Sequence, residues 1–430
     1  MSDAELDAPP WKDIVRVYLA AVSTFLAFGM VLPIFPVWVE QFTENQTQVG
    51  LATTLAAGVG LVAARPLAAM IMEGRKRMPT NALGALAVGL SAGLFPFIDQ
   101  VEIVDPFVTI CALRVLGGLG FGLVTTASVS VLTDLAPMHR RGEILGYFGA
   151  SNALALLIGP LLGGLLDKTV GVDVVFWVAG GLAVPSLYFA SLVREPKVAP
   201  IPPGSNRLLD ALRFPALRIV TSGHFMAVIV HGALITFGPL MLANRDGWMT
   251  VEIFFAIEAA AVVAFRIGMG RRFDLYDRLM FVRLGLALLT VASIMLGVFE
   301  HDLMLLLAAI IYGVGFSAYV PTMNAMVGDI VPGSHRARGF AIFMLAFDLA
   351  IASGGVVVGP VADGEGGPQM ALLAAGLGPL IALGIYWWGS RRVRIEMKRR
   401  DTERRAGERS RIKTGRMRRP PMPDSEKAQK

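Results

Sequence analysis

Two carboxylates stand where a carboxylate is costly. Asp348 lies in the stretch FMLAFDLAIASGG and Glu258 in FFAIEAAAVVAF. An ionised acid at the centre of an apolar span costs about 2.5–3.5 kcal/mol or more unless it is paired, hydrated or neutral. A group that alternates between those conditions takes up and releases a proton. The other reading of each acid is a fixed structural pair. Arg114, in ALRVLGGLGFG, is the natural partner for Asp348. Its guanidinium does not deprotonate in a protein, so it either favours the ionised form of a neighbouring acid, binds an anionic group, or simply ties two helices together. His224 and His231 are seven residues apart in TSGHFMAVIVHGALITFGPL and therefore share one helix face. Either could exchange protons near neutrality. With Asn152, Tyr312, Tyr319 and Asn324 they make up the polar and aromatic side chains expected to line a cavity.

These residues must be carried by elements of unusual composition. The chain has 430 residues, 54% of them hydrophobic, with only 17% charged, and a mean hydropathy of +0.60. A helix crosses the hydrocarbon core with about 20 apolar residues. Such windows predict twelve spans, near 17–39, 50–72, 81–98, 107–133, 144–166, 174–193, 219–243, 251–270, 279–299, 303–327, 340–362 and 370–389. Sustained strand alternation is missing, so the expected class is an all-α membrane bundle. The single cysteine, Cys111, leaves no internal disulfide. There is no cluster of metal ligands, no G-x-x-x-x-G-K-[ST] phosphate loop and no nucleophile–base–acid constellation, so no cofactor, no metal and no enzymatic activity are expected.

Charge placement orients the bundle. Counted over alternate loops ahead of residue 390, one face carries seventeen lysines and arginines and the other only Lys168 and Arg245. This asymmetry predicts an inner-membrane protein with both termini in the cytoplasm. The acidic start MSDAELDAPPWKD does not read as a signal peptide. Sixteen more basic residues fall in 390–430, giving that tail a net charge of +10 against −4 for the rest. Such a tail is expected to serve topology or to meet anionic lipid, not nucleic acid.

The chain also repeats itself. VLTDLAPMHRRGEILGYF (131–148) aligns with MVGDIVPGSHRARGFAIF (326–343), matching Asp134, Pro137 and Gly142 to Asp329, Pro332 and Gly339. RPLAAMIME (65–73) aligns with RIGMGRRFD (266–274), matching Arg65 to Arg266, Ala69 to Gly270 and Glu73 to Asp274. Both offsets are near 200 residues. The expected organisation is a six-helix half (1–193), a linker loop (194–218), a second six-helix half (219–389) and the basic tail (390–430), working as a monomer.

Several segments carry a family resemblance. SNALALLIGPLLGG in span 5, with Gly159, Pro160, Gly163 and Gly164, is similar to the Gly-Pro signature of the drug/proton antiporter branch of the major facilitator superfamily. ALRVLGGLGFG in span 4, with Arg114, Gly118, Gly120 and Gly122, resembles the branch's Arg-Gly motif, and GMVLPIFPVWV resembles its twin-proline helix. The loop after span 2 departs from the pattern, with Ala69, then Glu73, then GRKR, two residues short; Gly270 and Asp274 keep the expected types.

The resemblance implies two six-helix repeats that rock about a central site. It implies a proton-relay role for Arg114 and an inward gate at Arg65, Glu73, Arg266, Gly270 and Asp274. Proline bends a helix and glycine admits a close neighbour. Gly159, Pro160, Gly163 and Gly164 are therefore expected to form a smooth seam between the halves. The implied activity is proton-coupled export of a small amphipathic compound or metabolite. A nutrient importer on the same scaffold, or a sensor acting through the basic tail, are the alternatives.

Overall fold

The computed structural model describes residues 10–72, 75–100, 105–137, 140–195, 212–243, 245–269, 277–331 and 336–417. Among these the regular elements are all helical. We number the twelve crossing units in chain order. The first half comprises α1 (Trp11–Val31), α2 (Gln46–Met72), α3 (Met78–Leu94), α4 (Pro106–Leu135), α5 (Arg141–Val170) and α6 (Val172–Ser191). The second comprises α7 (Pro215–Ala243), α8 (Val251–Met269), α9 (Arg278–Val298), α10 (Asp302–Ile330), α11 (Arg336–Ala362) and α12 (Leu377–Met417).

Eleven helices among the described residues are long and apolar enough to cross a membrane. The expected twelfth, α8, is a 19-residue helix carrying Glu252, Glu258 and Arg266. It is set apart by charge.

Local sequence explains the interruptions. Pro33 and Pro36 stop α1 at Val31 and restart a short helix at Phe35–Val39, because proline supplies no amide to the preceding turn. Within α2, residues Leu51–Leu55 form a π-helical turn between α-helical flanks. By contrast α5 runs unbroken through Pro160.

Each half packs by the same plan. In the first, α1 packs on α5 and α6, and α4 on α2 and α3; in the second, α7 packs on α11 and α12, and α10 on α8 and α9. Equivalent crossings use equivalent residues. Gly84 of α3 meets Gly120 of α4, and Gly285 of α9 meets Gly315 of α10, with backbone approaching too closely for a side chain. Equivalent ion pairs close each half at one end. Arg77 binds Asp134 and Arg278 binds Asp329, so the aspartates matched in the sequence are each held by an arginine from the neighbouring helix start.

The halves meet through α2 with α11, α5 with α8, and the short helix after α1 with α7. We call the face where α1 begins and α12 leaves the bundle the terminal face, and its opposite the far face. A buried aromatic layer of Phe35, Phe95, Phe176, Phe237, Phe254 and Tyr312 belongs to one core cluster that crosses from half to half.

Candidate functional site

An ion pair joins the two halves. Arg65 of α2 donates from Nε (2.8 Å) and Nη2 (2.5 Å) to Oδ2 of Asp348 on α11. Asp348 is only 5% exposed, whereas the Arg65 side chain keeps 36% of its surface. Removing one partner of a fully buried pair costs about 3–5 kcal/mol, and the partial exposure of Arg65 places this one lower. The arginine that reaches Asp348 is therefore Arg65, which the sequence assigns to a gate, and not Arg114. Helix pairing is the reason: α2 lies against α11, and Arg114 sits on the side of α4 that faces α2.

Arg114 has another employment. Its Nη2 donates to the carbonyl of Thr53 at 2.6 Å and its Nε to that of Ala52 at 3.3 Å, both in the π-helical turn of α2. Its guanidinium carbon lies 4.1 Å above the centre of the Phe35 ring. Among the described residues no carboxylate pairs with it, although it is 6% exposed.

Glu258 is 9% exposed on α8, and none of the described residues gives its carboxylate a hydrogen bond or an ion pair. Gly313 of α10 packs directly on its backbone carbonyl. Above it, α7 and α10 are joined by two rungs. His224 Nδ1 meets Tyr319 Oη at 3.0 Å, and His231 Nδ1 meets Tyr312 Oη at 3.0 Å. Seven-residue steps on both helices set this register, one ascending and one descending. Tyr319 continues to Tyr386 Oη at 3.3 Å, which donates to the carbonyl of Val220 at 2.9 Å. Phe343 stacks on His224 with ring centres 4.0 Å apart, leaving His224 Nε2 buried without a partner. His224, Tyr312 and Tyr319 are fully buried inside the second half, which removes them from the surface of any inter-half cavity in this arrangement. Asn152 is buried on α5 with Oδ1 unpartnered, and Asn324 is half-buried on α10.

The seam expected at span 5 is divided. A side chain on Gly159 would meet the backbone of Gly29 at 2.7 Å, and one on Gly163 the carbonyl oxygen of Met30 at 2.5 Å. Both belong to α1, in the same half. Only Gly164 faces the other half, where a Cβ would fall within the side chain of Glu252. The close approach of the Gly-Pro segment thus builds the first half, and its last glycine alone meets the second.

At the far face, polar groups join the halves. Lys168 Nζ and Thr250 Oγ1 donate to Glu252 at 3.1 and 2.5 Å. Asp363, at the end of α11, accepts from the amides of Gln46 (2.6 Å) and Thr47 (3.4 Å) and from Thr47 Oγ1 (2.5 Å). One half therefore supplies a cap to a helix start in the other, satisfying amides that have no partner within α2. A cavity of about 580 Å³ lies beside the Lys168–Glu252 contact, lined by Ile34, Trp38, Asp167, Arg245 and Glu252 among others. Toward the terminal face, side chains built on Gly146 and Gly149 of α5 or Gly268 of α8 would meet nothing within 4 Å.

Arg266 is exposed near the terminal end of α8. Glu73, Gly270 and Asp274 lie outside the described residues. Sequence reasoning passes over Glu252, Lys168, Thr47 and Asp363. Their signal is slight, since acids and lysines at helix ends are common, and only the partner across the interface gives them meaning.

Two repeats of one helix-packing plan, joined by a few exchangeable polar contacts, match a known sequence profile. That of the Major Facilitator Superfamily covers residues 17–302 and 249–422. The chain belongs to this superfamily. It is a multi-pass membrane transporter of small molecules, not an enzyme. The multi-drug resistance efflux pump PmrA of Streptococcus pneumoniae is 24% identical over 370 residues, 82% of this chain and 88% of that protein. The quinolone resistance protein NorA of Staphylococcus aureus is 24% identical over 345 residues, 77% of this chain and 84% of that protein. Among solved structures, a bacterial homologue of the human lysosomal transporter Spinster, in an inward-facing and unoccupied conformation, superposes with a TM-score of 0.71 at 16% identity. That match covers 90% of this chain and 99% of the other. At that identity the likeness concerns the fold.

Proposed function

We propose that this transporter exports a small amphipathic compound or metabolite by exchange for protons, through alternating access. The Arg65–Asp348 pair carries the reading. A guanidinium from one half and a proton compete for a single buried carboxylate of the other, so protonation frees the contact and ionisation remakes it. Protonation of one residue is in this way converted into attraction or indifference between two moving bodies. Glu258, buried and without a partner among the described residues, is the second acid available to the cycle. Relatives named as drug-efflux pumps support export over uptake.

In the proposed setting the protein works as a monomer in the inner membrane. The terminal face is cytoplasmic, as the steep excess of basic residues there favours, and the tail beyond residue 390 meets anionic lipid.

Substrate-driven proton flux in proteoliposomes tests the reading, after a susceptibility panel has supplied a substrate. Asp348→Asn keeps the volume and loses the ionisable group, so coupled flux should vanish while the protein stays folded. Glu258→Gln should cost less. If Asp348→Asn moved protons as the parent does and Glu258→Gln did not, the roles would be exchanged; if both moved them, coupling lies with neither.

A further inference from the structure

The superfamily resemblance assigns Arg114 to proton relay, yet its two directed hydrogen bonds go to backbone. A turn closed by i→i+5 bonds is wider than an α-turn, and such turns occur as single insertions, frequently at functional sites. The two carbonyls that Arg114 holds, Ala52 and Thr53, both belong to the Leu51–Leu55 turn, and the aromatic face of Phe35 fixes the guanidinium from its other side.

The same turn sits at the tightest part of the interface between the halves. Immediately before it, a side chain on Gly50 would strike the carbonyl of Gly355 at 2.5 Å. Three residues after it, Gly58 packs on Ala352, with Asp348 one further turn along α11. Arg65 follows on the same helix. On the opposite side of α2, Gly60 and Gly118 bring it against the backbone of α4, so α2 is clasped between α4 and α11. Tightening the wide turn to an α-turn would rewind every later residue of α2 about the helix axis, Arg65 included.

We infer that Arg114 is a positioning residue for the Arg65–Asp348 pair, acting through the wide turn of α2. Its planar fork occupies the outward-turned carbonyls and keeps the turn open, and the phase of α2 that follows brings Arg65 onto Asp348. An ammonium in its place has no fork and serves this geometry less well. The bearing of this on transport rests on the proposed role of Asp348; the geometry does not.

The test reads position directly. In a Cys111→Ser background, Arg65→Cys with Asp348→Cys is treated with a short bis-methanethiosulfonate cross-linker, and Lys168→Cys with Glu252→Cys serves as a second reporter at the far face. Adding Arg114→Met should slow the 65–348 cross-link at least about ten-fold, the low end expected when even one hydrogen bond from a charged donor is lost, and leave the 168–252 rate unchanged. Arg114→Lys should fall between. Equal rates at 65–348 with and without Arg114 would overturn the inference. So would a parallel fall at both reporters, because Arg114 would then act on the whole bundle. Proton flux plays no part in either measurement, so failure of the coupling role of Asp348 would leave the result standing.

Discussion

Gly164→Ala is the smallest change that should unsettle the far face. The added methyl occupies the path of the Glu252 side chain, which can swing aside only by leaving Lys168 and Thr250. The Lys168 side chain is 58% exposed, so its pair with Glu252 is worth about 0.2–1 kcal/mol. The bond from Thr250 adds about 0.5–1.5 kcal/mol. Together they come to about 1–2 kcal/mol, a shift of about 5- to 30-fold between closed and open far faces. Ile34 lines the cavity there and is nearly buried. The labelling rate of Ile34→Cys by a membrane-impermeant maleimide, in a Cys111→Ser background, should rise by that factor. Adding Glu252→Ala should raise it no further, since the same contacts are already gone. Gly163→Ala is the control. Its methyl would press on the Met30 carbonyl, inside the first half, and should cost about 1–3 kcal/mol of stability without changing the labelling rate. An unchanged rate for Gly164→Ala, or an equal rise for Gly163→Ala, would refute this account.

Two further outcomes follow from contacts that do not involve Asp348. Asp363→Ala removes the cap that α11 lends to α2 and should weaken the closed far face by about 0.5–2 kcal/mol, read as faster maleimide labelling of Ile34→Cys. Tyr319→Phe leaves His224 with neither ring nitrogen partnered and should lower stability by about 1–3 kcal/mol in thermal unfolding, with transport retained if the rung is structural.

The sequence made the architecture plain because its evidence is redundant. Apolar length, basic-residue asymmetry and the repeat at Asp134 and Asp329 each point to twelve helices in two halves. α8 was the exception to the count because it carries three ionisable residues within nineteen. The pairing of side chains was less legible. Asp348 and Arg114 stand out as charges in apolar runs, but which arginine meets which acid depends on which helices touch, and α2 against α11 is a contact between residues nearly 300 apart in the chain. Gly159, Pro160, Gly163 and Gly164 announce a close approach without naming the neighbour, which is α1 for two of the glycines and Glu252 for the last. The histidines show their common face by spacing alone; that the face turns into the second half follows only from where Tyr312 and Tyr319 stand on α10.

The final helix adds a mechanical consequence. α12 passes from the bundle into the basic tail as one uninterrupted element, Leu377–Met417, and near its exit Arg394 binds Asp277 while Val393 is buried against the second half. The 28 residues after Gly389 make a rod of about 42 Å at 1.5 Å per residue, fixed at its base to one moving body. A lever of that length magnifies small rotations: tilting its base by about 10° carries the tip through about 7 Å, from the same rise per residue. Any tilt of the second half is thus magnified at the free end of the tail.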